Sequence, residues 1–337
     1  MRRITRHLVL LACLVHASGA LAQVRPIEGE TLPRLLQSQG FSPPERFKAL
    51  VIMIDRGRPG APPTYRAFDW HGTADDRADW WPASTVKLFA AVAALEKTHA
   101  LGMTPRAMLT YRYVDAPVTL RVDAVVRAAL IESNNTAYDR LVEIVGFDEL
   151  NGGFFVPRNG FISTVLLRGY GGRIRDPVTG SGTLRQAPMI TLREGARSAT
   201  IPERNGRGTY TCPEQGNCTS LLELAESMRR VMLHEQLPAS ERFALGRPEL
   251  ALMRECLAAP RPRGNGVVDG LRAAFGRRVR LYHKPGFALQ WFSDVVFVEH
   301  TRTHARWIVA MAGYPGRPAL DDAARRVGGL LASGALR

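Results

Sequence analysis

Apolar residues crowd both ends of the chain in strand-like runs, and recur every three or four positions in the middle. Residues 47-FKALVIMIDR-56 form a β-branched apolar run that ends in a Gly/Pro turn, 57-GRPGAPP-63, after which 64-TYRAFDW-70 alternates. Together they read as a hairpin. Towards the C-terminus three further strand patterns follow one another, 278-RVRLYHKPGFALQ-290, 294-DVVFVEH-300 and 305-ARWIVAMAGY-314, and a final amphipathic helix is expected over about 320–335.

Between these ends the period changes. Over about 84–100, Val86, Leu88, Phe89, Val92 and Leu95 occupy most faces of a helix. That predicts a buried helix rather than a surface one. The runs 120-LRVDAVVRAALIE-132 and 136-TAYDRLVEIVG-146 have helical spacing, and Gly146 stops the second. Residues 151–218 are irregular and rich in Gly and Pro, with room for one strand pair. A helix resumes over 219–233, where Ser220 and Glu223 have the spacing of a capping box, and 249-ELALMREC-256 is again helical.

The order implies an α+β fold, with an antiparallel five-stranded sheet built from both ends of the chain, flanked by helices and interrupted by an inserted all-helical subdomain. The expected boundaries are 23–100 and 267–337 for the sheet part, and 101–266 for the insert with its irregular loop at 151–218. A cleft is expected where the two parts meet.

The first residues read differently. Arg2, Arg3 and Arg6 precede the apolar stretch 8-LVLLACLVHASGALA-22, which ends in the small-x-small pattern Ala20-Leu21-Ala22. This predicts a secretory signal peptide over 1–22, cleaved after Ala22. Leu10-Leu11-Ala12-Cys13 could be misread as a lipoprotein box, but the apolar run before it is short. No later run approaches the ~20 apolar residues of a membrane span. The expectation is a periplasmic or secreted protein, without a transmembrane segment and monomeric.

At 337 residues, 45% hydrophobic and 23% charged, the chain has the composition of a globular protein. Its formal net charge of +14 includes the three leader arginines. The remaining basic charges are scattered, with no basic run among stacked aromatics, so nucleic-acid binding is not expected. A basic envelope protein would suit retention near anionic wall polymers or headgroups. Among 45 basic residues only Lys48, Lys87, Lys97 and Lys284 are lysines. Lysine can lose its proton where arginine cannot, so each of the four invites a question.

Cysteines add a structural point. In an oxidising compartment 212-CPEQGNC-218 reads as a small disulfide loop, and Cys256, within an apolar helical pattern, as a buried thiol. No Cys/His spacing suggests zinc, and His300 and His304 fall in a hairpin turn. No metal or cofactor is expected.

Candidate chemistry lies in three short segments. In Ser84-Thr85-Val86-Lys87 the hydroxyl and the amine share one helix face. A buried lysine with a lowered pKa can accept the serine proton and turn a weak nucleophile into an acyl acceptor. Ser133-Asn134-Asn135 sits at a helix junction and could line a cleft with a hydroxyl and an amide. Lys284-Pro285-Gly286 lies inside a strand. Taken singly each is ordinary: a cap with a snorkelling lysine, a turn, a strand with a kink.

Taken in order, and with the strand–helix order around them, these segments resemble the signature of the penicillin-recognising serine acyl-transferases, the class A-type β-lactamases and the related D,D-peptidases: Ser-x-x-Lys, Ser-x-Asn, Lys-Thr-Gly. The likeness spans nearly all of the mature chain. It implies Ser84 as nucleophile, Lys87 as its base, Ser133 as proton relay and Asn135 as a hydrogen-bonder to the substrate amide. It implies Lys284 as the attractor of a substrate carboxylate and Gly286 as a point of close backbone approach. The backbone N–H groups of Ser84 and Phe287 would form the oxyanion hole. The implied substrate is a small molecule or peptide, a β-lactam or a D-Ala-D-Ala-like amide of a peptidoglycan stem.

Two departures matter. Pro285 replaces the threonine of the third motif and so lacks its hydroxyl and its N–H. An edge strand tolerates that loss, but carboxylate recognition should weaken. The loop glutamate that serves deacylation in class A enzymes also has no counterpart in 163-STVLLRGYGGRIRDP-177: Arg168 matches the arginine of that loop, whereas Tyr170 falls near the glutamate position. The segment 148-DELN-151 lies too close to the second motif, and Glu132 beside it has no equivalent. An acyl-enzyme should therefore persist. Alternatives to an efficient hydrolase are an impaired penicillin-binding or envelope-binding protein on the same fold, or an esterase using the same Ser–Lys pair.

Overall fold

The computed structural model describes residues 24, 26–55, 57, 61–171, 182–213, 216–258 and 266–336. The leader expected over 1–22 lies outside them, as do residues 172–177 of the segment compared above with the deacylation loop.

The chain opens with β1 (Ile27–Glu28), α1 (Thr31–Ser38), β2 (Arg46–Asp55) and β3 (Thr64–Asp69). A single 3-10 turn, Ala83–Val86, leads into α2 (Lys87–Ala100). The middle contributes β4 (Met108–Arg112), β5 (Val118–Arg121), α3 (Val122–Leu130), α4 (Asn135–Val145), β6 (Met189–Glu194), β7 (Arg197–Ile201), α5 (Leu221–Met232) and α6 (Arg247–Ala258). The end supplies α7 (Gly266–Phe275), β8 (Val279–Ala288), β9 (Trp291–His300), β10 (Arg306–Tyr314) and α8 (Arg317–Ser333).

The main sheet runs β1–β3–β2–β10–β9–β8. Its five long strands are antiparallel neighbours and come from both ends of the chain, as the pattern predicts. The sixth, β1, adds in parallel to β3 through only two residues, too few to leave a periodic signal. Alternate residues point to opposite faces. Leu50, Ile52, Ile308 and Ala310 join a core with Leu88 and Phe89 of α2, whereas Ala49, Val51, Val309 and Met311 pack against Leu32 of α1, Leu271 of α7 and Val327 of α8. Both faces are buried, so the central strands read as continuous apolar runs.

The insert is not all helical. Besides α3 to α6 it carries a four-stranded sheet, β7–β6–β4–β5. Leu109, Tyr111, Ile190 and Leu192 are buried on one face of that sheet, while Thr119, Arg193 and Thr200 are exposed. The strand pair expected in 151–218 is the β6–β7 hairpin. The pairing of β4 with β6 joins segments far apart in sequence, and strands this short carry too few alternations to stand out beside helices.

Local signals hold in part. Ser220 Oγ accepts the Glu223 N–H at 3.2 Å and caps α5, but the Glu223 carboxylate turns to the N–H groups of Ile162 and Ser163, each at 2.6 Å. Cys212 and Cys218 form the expected disulfide, and Cys256 is buried in α6. Among the described residues no helix is long and apolar enough to cross a membrane.

Candidate active site

Ser84 sits in the turn that precedes α2. Ala83 before it takes φ +47°, and Thr85 binds the Pro82 carbonyl oxygen through both its N–H (3.1 Å) and its hydroxyl (2.6 Å). The turn lies against β8 at Gly286, where a methyl group would stand 2.5 Å from the Pro82 oxygen and 3.0 Å from the Ser84 nitrogen. Glycine at 286 is thus required by the protein's own backbone, not only by an approaching ligand. The helix expected to begin at 84 begins instead at Lys87, because this turn is wound more tightly.

Lys87 is fully buried. Its Nζ donates to Ser84 Oγ at 2.8 Å, to the Ser133 carbonyl at 2.6 Å and to Asn135 Oδ1 at 2.7 Å, and it lies 3.4 Å from Ser133 Oγ. Each of these acceptors is uncharged. Burial without a bonded carboxylate disfavours the ammonium and lowers the pKa to about 8, against a weaker opposing pull from Asp139. The contrast with Lys48 and Lys97 is direct: the first pairs with Asp76 and the second with Glu149 at 2.8 Å.

Ser133 adopts φ +57° in the break between α3 and α4, and Asn134 caps α4 by accepting the Ala137 N–H at 2.9 Å. That geometry turns Ser133 Oγ towards Lys284, whose buried Nζ donates to it at 2.9 Å and to the Pro285 carbonyl at 3.1 Å. Ser133 Oγ therefore lies between two lysine amines. β8 is the edge strand of the main sheet and runs unbroken through Pro285, while the Phe287 side chain is two-thirds exposed at 66%. The three distant segments singled out in the sequence converge on one crevice.

Sequence reasoning reached the next group only in part. Tyr170 stacks on Tyr138 (ring centroids 4.7 Å apart), and the Lys87 ammonium lies 5.6 Å from its ring centroid. Its hydroxyl donates to the Ala83 carbonyl at 3.0 Å, and burial raises its pKa, so it does not serve as a base. Asp139 holds this segment in place, its two carboxylate oxygens accepting the N–H groups of Tyr170 and Gly171 at 2.7 Å each. Burial raises the Asp139 pKa, and those two hydrogen bonds oppose the shift. Asn217 accepts the N–H groups of Leu167 and Arg168 at 2.8 Å each and donates to the Tyr138 hydroxyl at 3.1 Å. Nothing in the sequence marks Asp139 or Asn217, because both act on the backbone of a distant segment.

The acids near the second motif are used elsewhere or face solvent. Asp148 accepts the N–H groups of Arg207 and Gly208, Glu149 pairs with Lys97, and Glu132 is exposed.

Solved structures share the fold that carries this site. A β-lactamase from Burkholderia vietnamiensis aligns over 90% of this chain and 95% of its own, at 18% identity and a TM-score of 0.53. A class A β-lactamase described as the last common ancestor of Gram-negative bacteria aligns over 91% and 98%, at 20% identity and a TM-score of 0.55. A PBP-A mutant solved as its acyl-enzyme complex with penicillin G aligns over 92% and 100%, at 16% identity and a TM-score of 0.60. At these identities the likeness establishes the fold. No curated protein sequence matches the chain. The profile of the β-lactamase enzyme family matches residues 75–333, the span that holds all three motifs, and the chain belongs to that family.

Proposed function

We propose that this protein is a secreted serine hydrolase of the class A β-lactamase type, acylated at Ser84 by β-lactams or by D-Ala-D-Ala-like amides. The observation that carries the reading is the 2.8 Å contact between Lys87 Nζ and Ser84 Oγ, made by an amine whose pKa is lowered to about 8. A neutral Lys87 takes the Ser84 proton as Oγ bonds to the substrate carbonyl carbon. The negative charge on the carbonyl oxygen meets the N–H groups of Ser84 and Phe287. The C–N bond then breaks, and the leaving nitrogen takes its proton from Ser133, which recovers one from Lys87. Asn135 and Lys284 orient the substrate amide and its carboxylate. The expected leader and the disulfide support export to the periplasm or beyond.

A second reading concerns turnover. Tyr170 lies where a deacylating glutamate would be expected, and its hydroxyl is committed to Ala83. That favours a long-lived acyl-enzyme, and with it a penicillin-binding role, over rapid hydrolysis. A fluorescent penicillin tests the main reading. Wild-type protein should take one label, and Ser84→Ala none; a folded wild type that takes no label would rule out acylation. Nitrocefin turnover tests the second reading, since fast multiple turnover dependent on Ser84 would remove it.

A further inference from the structure

Beside Ser84 the crevice opens into a cavity of about 240 Å³ lined by Trp81, Asn135, Arg168, Tyr170, Ala288 and Leu289. The cavity shares Asn135 with the Lys87 cluster and Tyr170 with the Ser84 turn. It is too small for a whole drug-sized ligand, but it suits one substituent. Its walls differ in kind. Trp81 and Leu289 offer apolar surface, with Leu289 69% exposed at the rim. Arg168 supplies a cation, its guanidinium lying 5.5 Å from the Trp81 ring centroid. Among the described residues Arg168 takes no carboxylate partner. Stacking on an indole leaves the guanidinium N–H edge available for in-plane hydrogen bonds. The acid behind Tyr170, Asp139, has both oxygens occupied by backbone N–H groups, so it does not compete for the guanidinium.

This inference rests on acylation at Ser84. Ala288 and Leu289, the two residues after Phe287, line the cavity, so it adjoins the place where the proposed reaction holds its carbonyl. We propose that the cavity is the side-chain subsite of this reaction and that Arg168 selects acyl groups ending in a carboxylate. Trp81 and Leu289 take the aromatic or aliphatic body of the side chain, and Arg168 binds the anion at its end. The family relationship does not supply this preference; it follows from an arginine that no acid among the described residues engages, at the wall of a cavity whose other lining side chains carry no charge.

The test compares acylation rates of two penicillins that share a nucleus, one with a benzyl side chain and one with an α-carboxybenzyl side chain. Wild-type protein should prefer the carboxylated compound by roughly tenfold or more, the range of a charge-assisted hydrogen bond. Raising the salt concentration should shrink that ratio. Arg168→Gln should bring the ratio close to one, and Arg168→Lys should leave an intermediate value. A wild-type ratio of one or below, or a preference retained in Arg168→Gln, would overturn the assignment. The salt dependence in the wild type is read without any variant, so a misfolded Arg168→Gln does not rescue the idea. Failure of both penicillins to label Ser84 would instead overturn the acylation reading, and the assignment with it.

Discussion

The hydroxyl of Tyr170 donates to the carbonyl of Ala83, the residue before the candidate nucleophile, at 3.0 Å. The bond pins an aromatic ring beside Lys87 and next to the Ser84 turn; in the proposed reading that ring stands in the way of a hydrolytic water. Replacing Tyr170 by glutamate removes the pin and supplies a carboxylate. General-base catalysis contributes about 10²–10⁴-fold, so Tyr170→Glu should shorten the acyl-enzyme lifetime by roughly a hundredfold. Intact-protein mass spectra taken at intervals after penicillin addition measure that lifetime. If the wild type shows no mass-shifted species while consuming substrate, the ring is no obstacle.

The proposed acylation should depend on pH through Lys87, in a definite direction. Only the neutral amine can take the Ser84 proton, and its pKa lies at about 8. At pH 7 roughly a tenth of the protein then carries the competent base, far more than an ordinary lysine would provide. The second-order rate of labelling should rise about tenfold per pH unit below 8 and level off above it. A flat profile, or a rise that continues towards 10, would place the proton elsewhere. Lys87→Met should abolish labelling at every pH.

Pro285 removes a hydroxyl from the strand that faces the crevice. Lys284 remains in place, bonded to Ser133 Oγ at 2.9 Å, so the positive charge survives without the directional contact. β8 is an edge strand and already tolerates the missing N–H, so Pro285→Thr should fold. A restored hydrogen bond to a substrate carboxylate is expected to raise the acylation efficiency about tenfold. The same substitution should do nothing for a carboxylate-free ester, and equal gains on both substrates would point to strand geometry instead.

The fold was largely legible because its longest signals are local. The run at Phe47–Asp55, the buried helix around Phe89 and the three C-terminal strands each span enough residues for their period to show. The insert's sheet leaves no such signal, because Leu109 and Leu192, aligned across β4 and β6, come from strands of five and six residues far apart in the chain. The site divides in the same way. Ser84, Lys87, Ser133, Asn135 and Lys284 stand in short motifs with fixed spacing, so they could be found. Asp139 and Asn217 act through backbone N–H groups of a distant segment, and such contacts leave no spacing to read.

The disulfide gives the last prediction. Cys218 follows Asn217 directly, and the Asn217 side chain holds the backbone of Leu167 and Arg168 and, through Tyr138, supports the ring of Tyr170. Closing so short a loop stabilises the fold by about 2 kcal/mol in the chain-entropy account. Cys212→Ser with Cys218→Ser should therefore lower the unfolding free energy by about that amount in urea titrations. It should also shorten the acyl-enzyme lifetime, because the 167–170 segment loses part of its anchorage and water reaches the Ser84 ester more readily. Stability and lifetime must fall together in the double variant and under reductant, while Cys256→Ser, which leaves the loop closed, should leave the lifetime unchanged. A destabilised double variant whose acyl-enzyme persisted as long as the wild type's would mean that Asn217 keeps its hold on the segment without the covalent link.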